Sequence, residues 1–279
     1  MILPALPKPW RRQVMLSKFF EKFHISEENV IQAYIGFDDT DYLGSDRGTG
    51  KLARWFEGEL PEGCNLWGVV RQQLLVHEDI PYTSHNSSAC VVVEIPDPGF
   101  IEELVSSAAR HLERHALEGS DPGLCVTYEG DSALPRLIAF SRRCTSQVVS
   151  QGDALEATRH MHLSGHGGTN DGIIGAAAAV GLTAHGWSGR FIEFGKLRDL
   201  PERVRVSELE RHHILAVSLD RDGQVPAPED LVWTKGWLRP RLWGNRPILP
   251  VTPMENGVWE SLGGKRKKAD RHFPSAAAL

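Results

Sequence analysis

Cysteine is scarce: Cys64, Cys90, Cys125 and Cys144 are the only four among 279 residues, and no two form a Cys-x-x-Cys pair. That spacing excludes a zinc ribbon within the chain, and no zinc is expected. It also gives no disulfide framework, so a reducing interior suits the protein. Long apolar runs are missing as well. The first residues, with Trp10-Arg11-Arg12 and a mixed segment holding Lys18, Glu21 and Lys22, carry no run fit for a signal peptide. None elsewhere reaches the ~20 residues of a membrane span. A cytoplasmic protein with no membrane partner is expected. Excess positive charge is absent too: 31 basic against 36 acidic side chains give a net charge of -5. Nucleic acid would therefore need a local patch rather than a global field. One candidate is Lys265-Arg266-Lys267-Lys268 with Arg271 and His272, in a Gly- and Ala-rich stretch, 263–279, that reads as a solvated, disordered basic tail.

What is present is a chain able to bury a sizeable core, with 41% hydrophobic and 24% charged residues. Residues 1–29 look like an appended arm with a helical apolar spacing over 13–23. Strands are expected over 30–37, 68–76, 89–95 and 124–128. Helices are expected over 51–58, over 100–116 with its 3.6-residue apolar stripe, and over 134–149. The order from 68 to 148 predicts an α+β sandwich of ferredoxin-like kind. Gly172 to Val180 (GIIGAAAAV) opens a buried helix, and strands follow at 191–194 and 214–219. From Trp233 onward Trp and Pro are frequent, and no assignment is made.

The strand over 30–37 ends in Asp38-Asp39-Thr40-Asp41. In extended chain Asp39 and Asp41 share one face, and a turn brings Asp38 back towards them. Three carboxylates this close raise one another's pKa unless a cation neutralises them. Magnesium suits the task, since it takes one or two carboxylates and completes its shell with water and phosphate oxygens. The alternative is a set of turn and capping aspartates before the next helix. Gly44-Ser45-Asp46-Arg47-Gly48-Thr49-Gly50-Lys51 follows. Gly48 permits close approach, Thr49 is placed to cap the helix or carry a phosphoryl group, and Lys51 to neutralise phosphate. This is not a Walker motif, because Leu52 stands where a hydroxyl residue is required.

A second turn, Gly165-His166-Gly167-Gly168-Thr169-Asn170-Asp171-Gly172, leads into the Ala-rich helix. Free N–H groups and the positive helix end make an anion site there, with Gly167, Gly168 and Gly172 allowing approach and Thr169, Asn170 and Asp171 offering polar groups. A plain loop before a core helix is the alternative. His160, His162 and His166 lie near one another but lack an obvious fourth ligand.

The two motifs together resemble the archaeal isoleucine tRNA agmatidine synthetase family, in which a strand ends I-G-[IF]-D-D-T-D and a later segment runs G-[TR]-x-D-G-[IL]-I-G-A-L-A-A-V-G. The counterparts are Ile35 to Asp41 and Gly168 to Gly181. Between them Ile80-Pro81-Tyr82 and Asp121-Pro122-Gly123 are similar to the family's I-P-Y and N-P-G segments. The resemblance runs from about 30 to 185. Thr83-Ser84-His85-Asn86-Ser87-Ser88 stands in place of K-T-R-G-N-G, and Arg47-Gly48-Thr49-Gly50 in place of M-C-T-T. The sequence ends before an OB-fold or zinc ribbon, so the likeness is to a truncated, divergent homologue.

The resemblance implies a kinase-like three-aspartate catalytic domain, 30–67 and 149–262, interrupted by the ferredoxin-like domain at 68–148. It implies ATP and Mg2+ as cofactors, with Asp38, Asp39 and Asp41 binding metal and Thr49 matching a threonine that the family can phosphorylate. The family cleaves ATP to AMP and pyrophosphate and activates the C2 oxygen of a wobble cytidine, which agmatine then attacks. Here the acceptor is a tRNA cytidine or a small molecule, with an agmatine-like amine. A small-molecule kinase giving ADP and a non-catalytic nucleotide- or RNA-binding subunit are the other readings.

Overall fold

The computed structural model describes residues 30–42, 44–80, 85–220 and 222–263. The predicted arm and most of the basic tail lie outside the described residues. From Ile31 onward the chain forms one unit. It starts with strand β1, Ile31–Asp38, whose side chains alternate as a strand requires. Ala33, Ile35 and Phe37 bury into one core and Tyr34 into another on the opposite face.

Helix α1 (Thr49–Trp55), β2 (Asn65–Gln73), β3 (Ser87–Ile95), α2 (Ile101–His115) and β4 (Gly123–Tyr128) follow. The strands pair antiparallel in the order β4-β1-β3-β2. This is the ferredoxin-like βαββαβ arrangement, and it begins at β1 rather than at residue 68. The reason lies in β1 itself. Its backbone is paired on both sides, by β3 and β4, and its residues from Ala33 to Phe37 are buried. The acidic turn and glycine-rich stretch after it form a loop inside the fold, not a domain boundary. The separate body expected at 68–148 therefore shares its sheet with the aspartate strand.

Helices α1 and α2 cover one face through Leu52, Ala53, Leu104, Ala108 and Leu112. The other face carries α3 (Leu134–Arg143), α4 (Gln151–Ala157) and α5 (Gly172–His185). The helix expected over 134–149 stops at Arg143, and a new one starts behind Ser150, which forms a capping box with Asp153. Helix α5 buries all but three of its 14 residues, because it is held between the sheet and α3. Where it crosses β1 the spacing demands glycine: a Cβ on Gly36 would stand 2.1 Å from the Ala176 carbonyl oxygen.

Further strands extend the sheet: β5 (His162–Gly165), β6 (Arg190–Glu193), β7 (Arg203–Arg205), β8 (Leu215–Ser218), β9 (Leu231–Trp233), β10 (Arg241–Leu242), β11 (Pro247–Pro253) and β12 (Val258–Ser261). Strand β5 pairs with β4 at one end, while β6 pairs with β2 and continues through β10, β11, β12 and β9 to β7. The sheet is mixed, since β8 on β11 and β9 on β12 run parallel. The unassigned region after Trp233 thus holds short strands. Proline breaks the usual strand signal there, with three in β11 alone. A core of Phe191, Leu209, Ile214, Val232, Leu249 and others supports this end. No helix among the described residues is long and apolar enough to cross a membrane.

Candidate active site

The carboxylate cluster forms where β1 stops. Asp39 has a φ of 50°, a left-handed conformation that aspartate tolerates better than most residues, and it turns the chain out of the sheet. Thr40 then points inward and is buried. Its hydroxyl donates to Thr49 Oγ1 at 3.1 Å, and its carbonyl accepts from the Leu117 N–H at 3.0 Å. Those bonds tie the turn to the start of α1 and to the segment after α2. Asp41 accepts from the Ser45 hydroxyl at 3.4 Å. Asp38 extends along the face that meets α5, and only glycine at position 175 leaves it room: a Cβ there would lie 1.7 Å from Asp38 Oδ2.

Crowding and burial perturb all three acids. Burial pushes the Asp38 carboxyl up to about 7, with Asp39 and Asp41 adding repulsion and the Asp39 N–H opposing it. Burial raises Asp39 to about 6, helped by the charges of Asp121, Asp41 and Asp171. Burial also raises Asp41, against hydrogen bonds from Ser45 and from the Thr49 backbone and hydroxyl. These carboxylates lack a cationic neighbour among the causes that shift them, and an all-oxygen donor set of this kind fits a hard divalent cation.

They line a cleft of about 840 Å³ together with Gly48, Thr49, Asp121, Asp171, Gly172 and Gly175. Five arginines also line it, among apolar and neutral polar residues: Arg54 of α1, Arg71 of β2, Arg190 of β6, then Arg198 and Arg239. Burial lowers the pKa of Arg239 to about 10, with Arg198, Arg54 and Arg190 adding repulsion. Arg71 is lowered by burial and by Arg190, and Arg54 by burial and Arg198. Arg198 donates to Glu193 at 2.9 Å, and the Arg239 guanidinium lies 3.8 Å from the Trp237 ring centre. Aspartates and arginines in one cleft suit a metal-chelated polyphosphate, which carries charge of both signs.

The site thus gathers Asp38, Asp39, Asp41, Gly48, Thr49, Asp171 and Gly172 of the residues singled out from the sequence. The others lie elsewhere. The Lys51 ammonium sits 5.2 Å from the Trp55 ring centre. Gly167 and Gly168 line a second hollow of about 450 Å³, with Glu113, Asp121 and His166. Thr169 is engaged by Asp121, to which it donates through its N–H at 3.0 Å and its hydroxyl at 2.6 Å. Asn170, at φ 65°, closes the turn by donating its N–H to the Gly167 carbonyl at 3.1 Å. Asp171 accepts from Gln151 Nε2 at 2.6 Å. His162 and His166 both bond the Ser164 hydroxyl, each at 2.9 Å. Of the departing segment 83–88, Thr83 and Ser84 lie outside the described residues, while His85 to Ser88 line the cleft.

The five arginines and Asp121 escaped the sequence reading. Asp121 had a visible signal, standing where the N-P-G segment has asparagine. The arginines had none, because they are scattered from 54 to 239, on α1, in β2 and β6 and in the loops after β6 and before β10, and only the tertiary fold brings them together.

No protein-family model and no curated protein matches the chain. Solved structures do match. Apo TiaS, a tRNA agmatidine synthetase, is 26% identical over 54% of this chain and 35% of its own, with a TM-score of 0.44. A tRNA fluorescent labeling enzyme is 29% identical over 54% and 36%, with a TM-score of 0.44. The complex of TiaS with its tRNA and ATP is 26% identical over 54% and 36%, with a TM-score of 0.46. Over just above half its length, the chain is therefore similar to roughly a third of tRNA agmatidine synthetase.

Proposed function

We propose that this chain is an ATP- and magnesium-dependent enzyme that activates an acceptor oxygen by phosphoryl transfer, after which an amine of agmatine type attacks. The carrying observation is the cleft itself, whose lining holds three perturbed aspartates and five arginines. Asp38, Asp39 and Asp41 would hold Mg2+, which would offset charge on the phosphates. The arginines would take the phosphate oxygens, whose planar fork geometry they match. Gly48 and the first turn of α5 let a phosphate approach backbone N–H groups. Thr49 lies in the cleft with its hydroxyl bonded to Asp41 and Thr40, and serves as a transient phosphoryl carrier with Asp41 as proton acceptor. Catalysis then comes mainly from positioning and charge neutralisation, since phosphoryl transfer needs little covalent help.

The motif resemblance supports a tRNA cytidine as the acceptor, and the cleft arginines have the charge a nucleic-acid backbone requires. The test is incubation with magnesium and ATP labelled at the α or γ position, with and without bulk tRNA and agmatine, beside an Asp38→Asn control. AMP that depends on tRNA and agmatine and vanishes in the variant is expected, with the γ label leaving as phosphate once the amine displaces the phosphoryl group and the remaining ADP cleaved to AMP and phosphate. ADP alone would assign a small-molecule kinase. ATP binding without turnover, across nucleic-acid and small-molecule acceptors, would assign a nucleotide-sensing subunit.

A further inference from the structure

On the face of the sheet covered by α1 and α2, two histidines stand one helical turn apart on α2: His111 and His115. Such i, i+4 spacing puts both rings on one side of a helix. Their centres are 4.6 Å apart. Glu59, at the end of the 3-10 turn Phe56–Glu59 that follows α1, comes up beside them. One ligand atom from each of the three lies within 4.8 Å of the other two.

His111 is the telling member, since it is only 1% exposed. Its Nε2 is 3.0 Å from the Leu52 carbonyl oxygen. A carbonyl only accepts, so Nε2 carries a proton, and in the neutral ring Nδ1 presents a lone pair. That Nδ1 is buried with no hydrogen-bond partner. Leaving a buried polar atom unpaired is costly, so its persistence calls for an occupant. Metal-bound histidines show the same arrangement, one nitrogen donating to a backbone carbonyl and the other ligating. The rings of Phe37 and Phe56, 6.2 and 5.3 Å from His111, give the site an apolar wall. Glu59 spends one oxygen on Arg114, at 2.6 Å, and keeps the other.

We propose that Glu59, His111 and His115 bind one zinc ion. Two imidazoles and a carboxylate are a donor set that zinc takes at bonds of ~2.0–2.2 Å, with water as fourth ligand. Both Glu59 and His115 are part-exposed, so side-chain rotation closes the cluster. The ion clips α2 to the 3-10 turn that follows α1, the helix whose first residues line the cleft. It is separate from the magnesium site of the proposed function and does not depend on that reading.

The full chain is stripped with EDTA, given one equivalent of zinc, and passed through a desalting column. One zinc per chain by elemental analysis and a raised Tm are expected. His115→Ala and, independently, Glu59→Gln lose tenfold or more in zinc affinity, while Asp38→Asn keeps it. Cobalt substituted for zinc gives weak nitrogen and oxygen bands with no thiolate charge-transfer band. Zinc retained equally by both site variants, zinc lost in Asp38→Asn, a thiolate band, or no retained zinc each overturns the proposal.

Discussion

The Asp38 carboxylate occupies the space in which a Gly175 side chain would begin, with Oδ2 1.7 Å from the position of a Cβ there. The relationship separates folding from function. Alanine is the better helix former by ~0.8–1.0 kcal/mol, and what stands in its way is the Asp38 side chain, with Oδ2 at 1.7 Å, Cγ at 2.4 Å and Cβ at 3.0 Å. Gly175→Ala should therefore fold with a Tm within a few degrees of wild type, while Asp38 swings out of place. Magnesium-dependent ATP turnover should fall by about 100-fold, the scale of a misplaced catalytic group. Equal turnover in the variant, measured beside circular dichroism, would remove Asp38 from the chemistry.

The same carboxylates fix the direction of the pH dependence. Asp38 and Asp39 are raised to about 7 and about 6, so between pH 4 and 7 the folded state binds more protons than the unfolded one. Stability from these groups is complete below their unfolded pKa and is lost as pH rises through 6 and 7. Metal-free protein should lose several degrees of Tm between pH 5 and pH 8, since ~1 kcal/mol moves Tm by about 2–4 °C in a domain of this size. Asp38→Asn should flatten that slope. Magnesium should raise Tm more at pH 8 than at pH 5. A Tm indifferent to magnesium at pH 8 would speak against a metal at this cluster.

Much of this centre was legible from local pattern. Three acids sit within four positions at the end of an apolar run, and the Ala-rich segment has one composition throughout, so strand end and buried helix are both readable. The frame of the ferredoxin-like fold was not. Whether β1 pairs with β3 and β4 is a matter of long-range hydrogen bonds, and the polar loop from 38 to 50 hides the continuity. The glycine turn was read by composition as a phosphate cradle. Its geometry depends on Asp121, 48 residues away from Thr169.

That long-range bond gives a prediction of its own. Asp121 accepts from the Thr169 N–H and hydroxyl, and its charge also raises Asp39. Asp121→Ala should cost ~1–2 kcal/mol of stability through the loosened turn and lower the Asp39 pKa. Thr169→Val removes only the hydroxyl bond, should cost ~1 kcal/mol, and should leave ATP affinity within twofold. Isothermal titration with ATP and urea unfolding read the two effects separately. A tenfold loss of ATP affinity in Thr169→Val would return the threonine to the phosphate site.

The cleft arginines yield the final prediction, in which stability and binding move in opposite directions. Arg239 is held below its ordinary pKa by burial and by Arg198, Arg54 and Arg190, so in the ligand-free protein its charge is opposed by like charges. Removing that charge relieves repulsion, and Arg239→Gln should raise the Tm or leave it unchanged. A bound phosphate reverses the balance, because each guanidinium then gains a charge-assisted partner. ATP affinity should fall by about tenfold in the variant, which corresponds to ~1.4 kcal/mol, and its salt dependence should weaken. Arg239→Lys keeps the charge but not the fork or the stack on Trp237, 3.8 Å away, and should recover only part of the loss. Binding by fluorescence anisotropy at two salt concentrations, beside thermal unfolding, measures both halves. A variant that loses stability and keeps ATP affinity would make the arginines a structural feature and leave the aspartates without their counterpart.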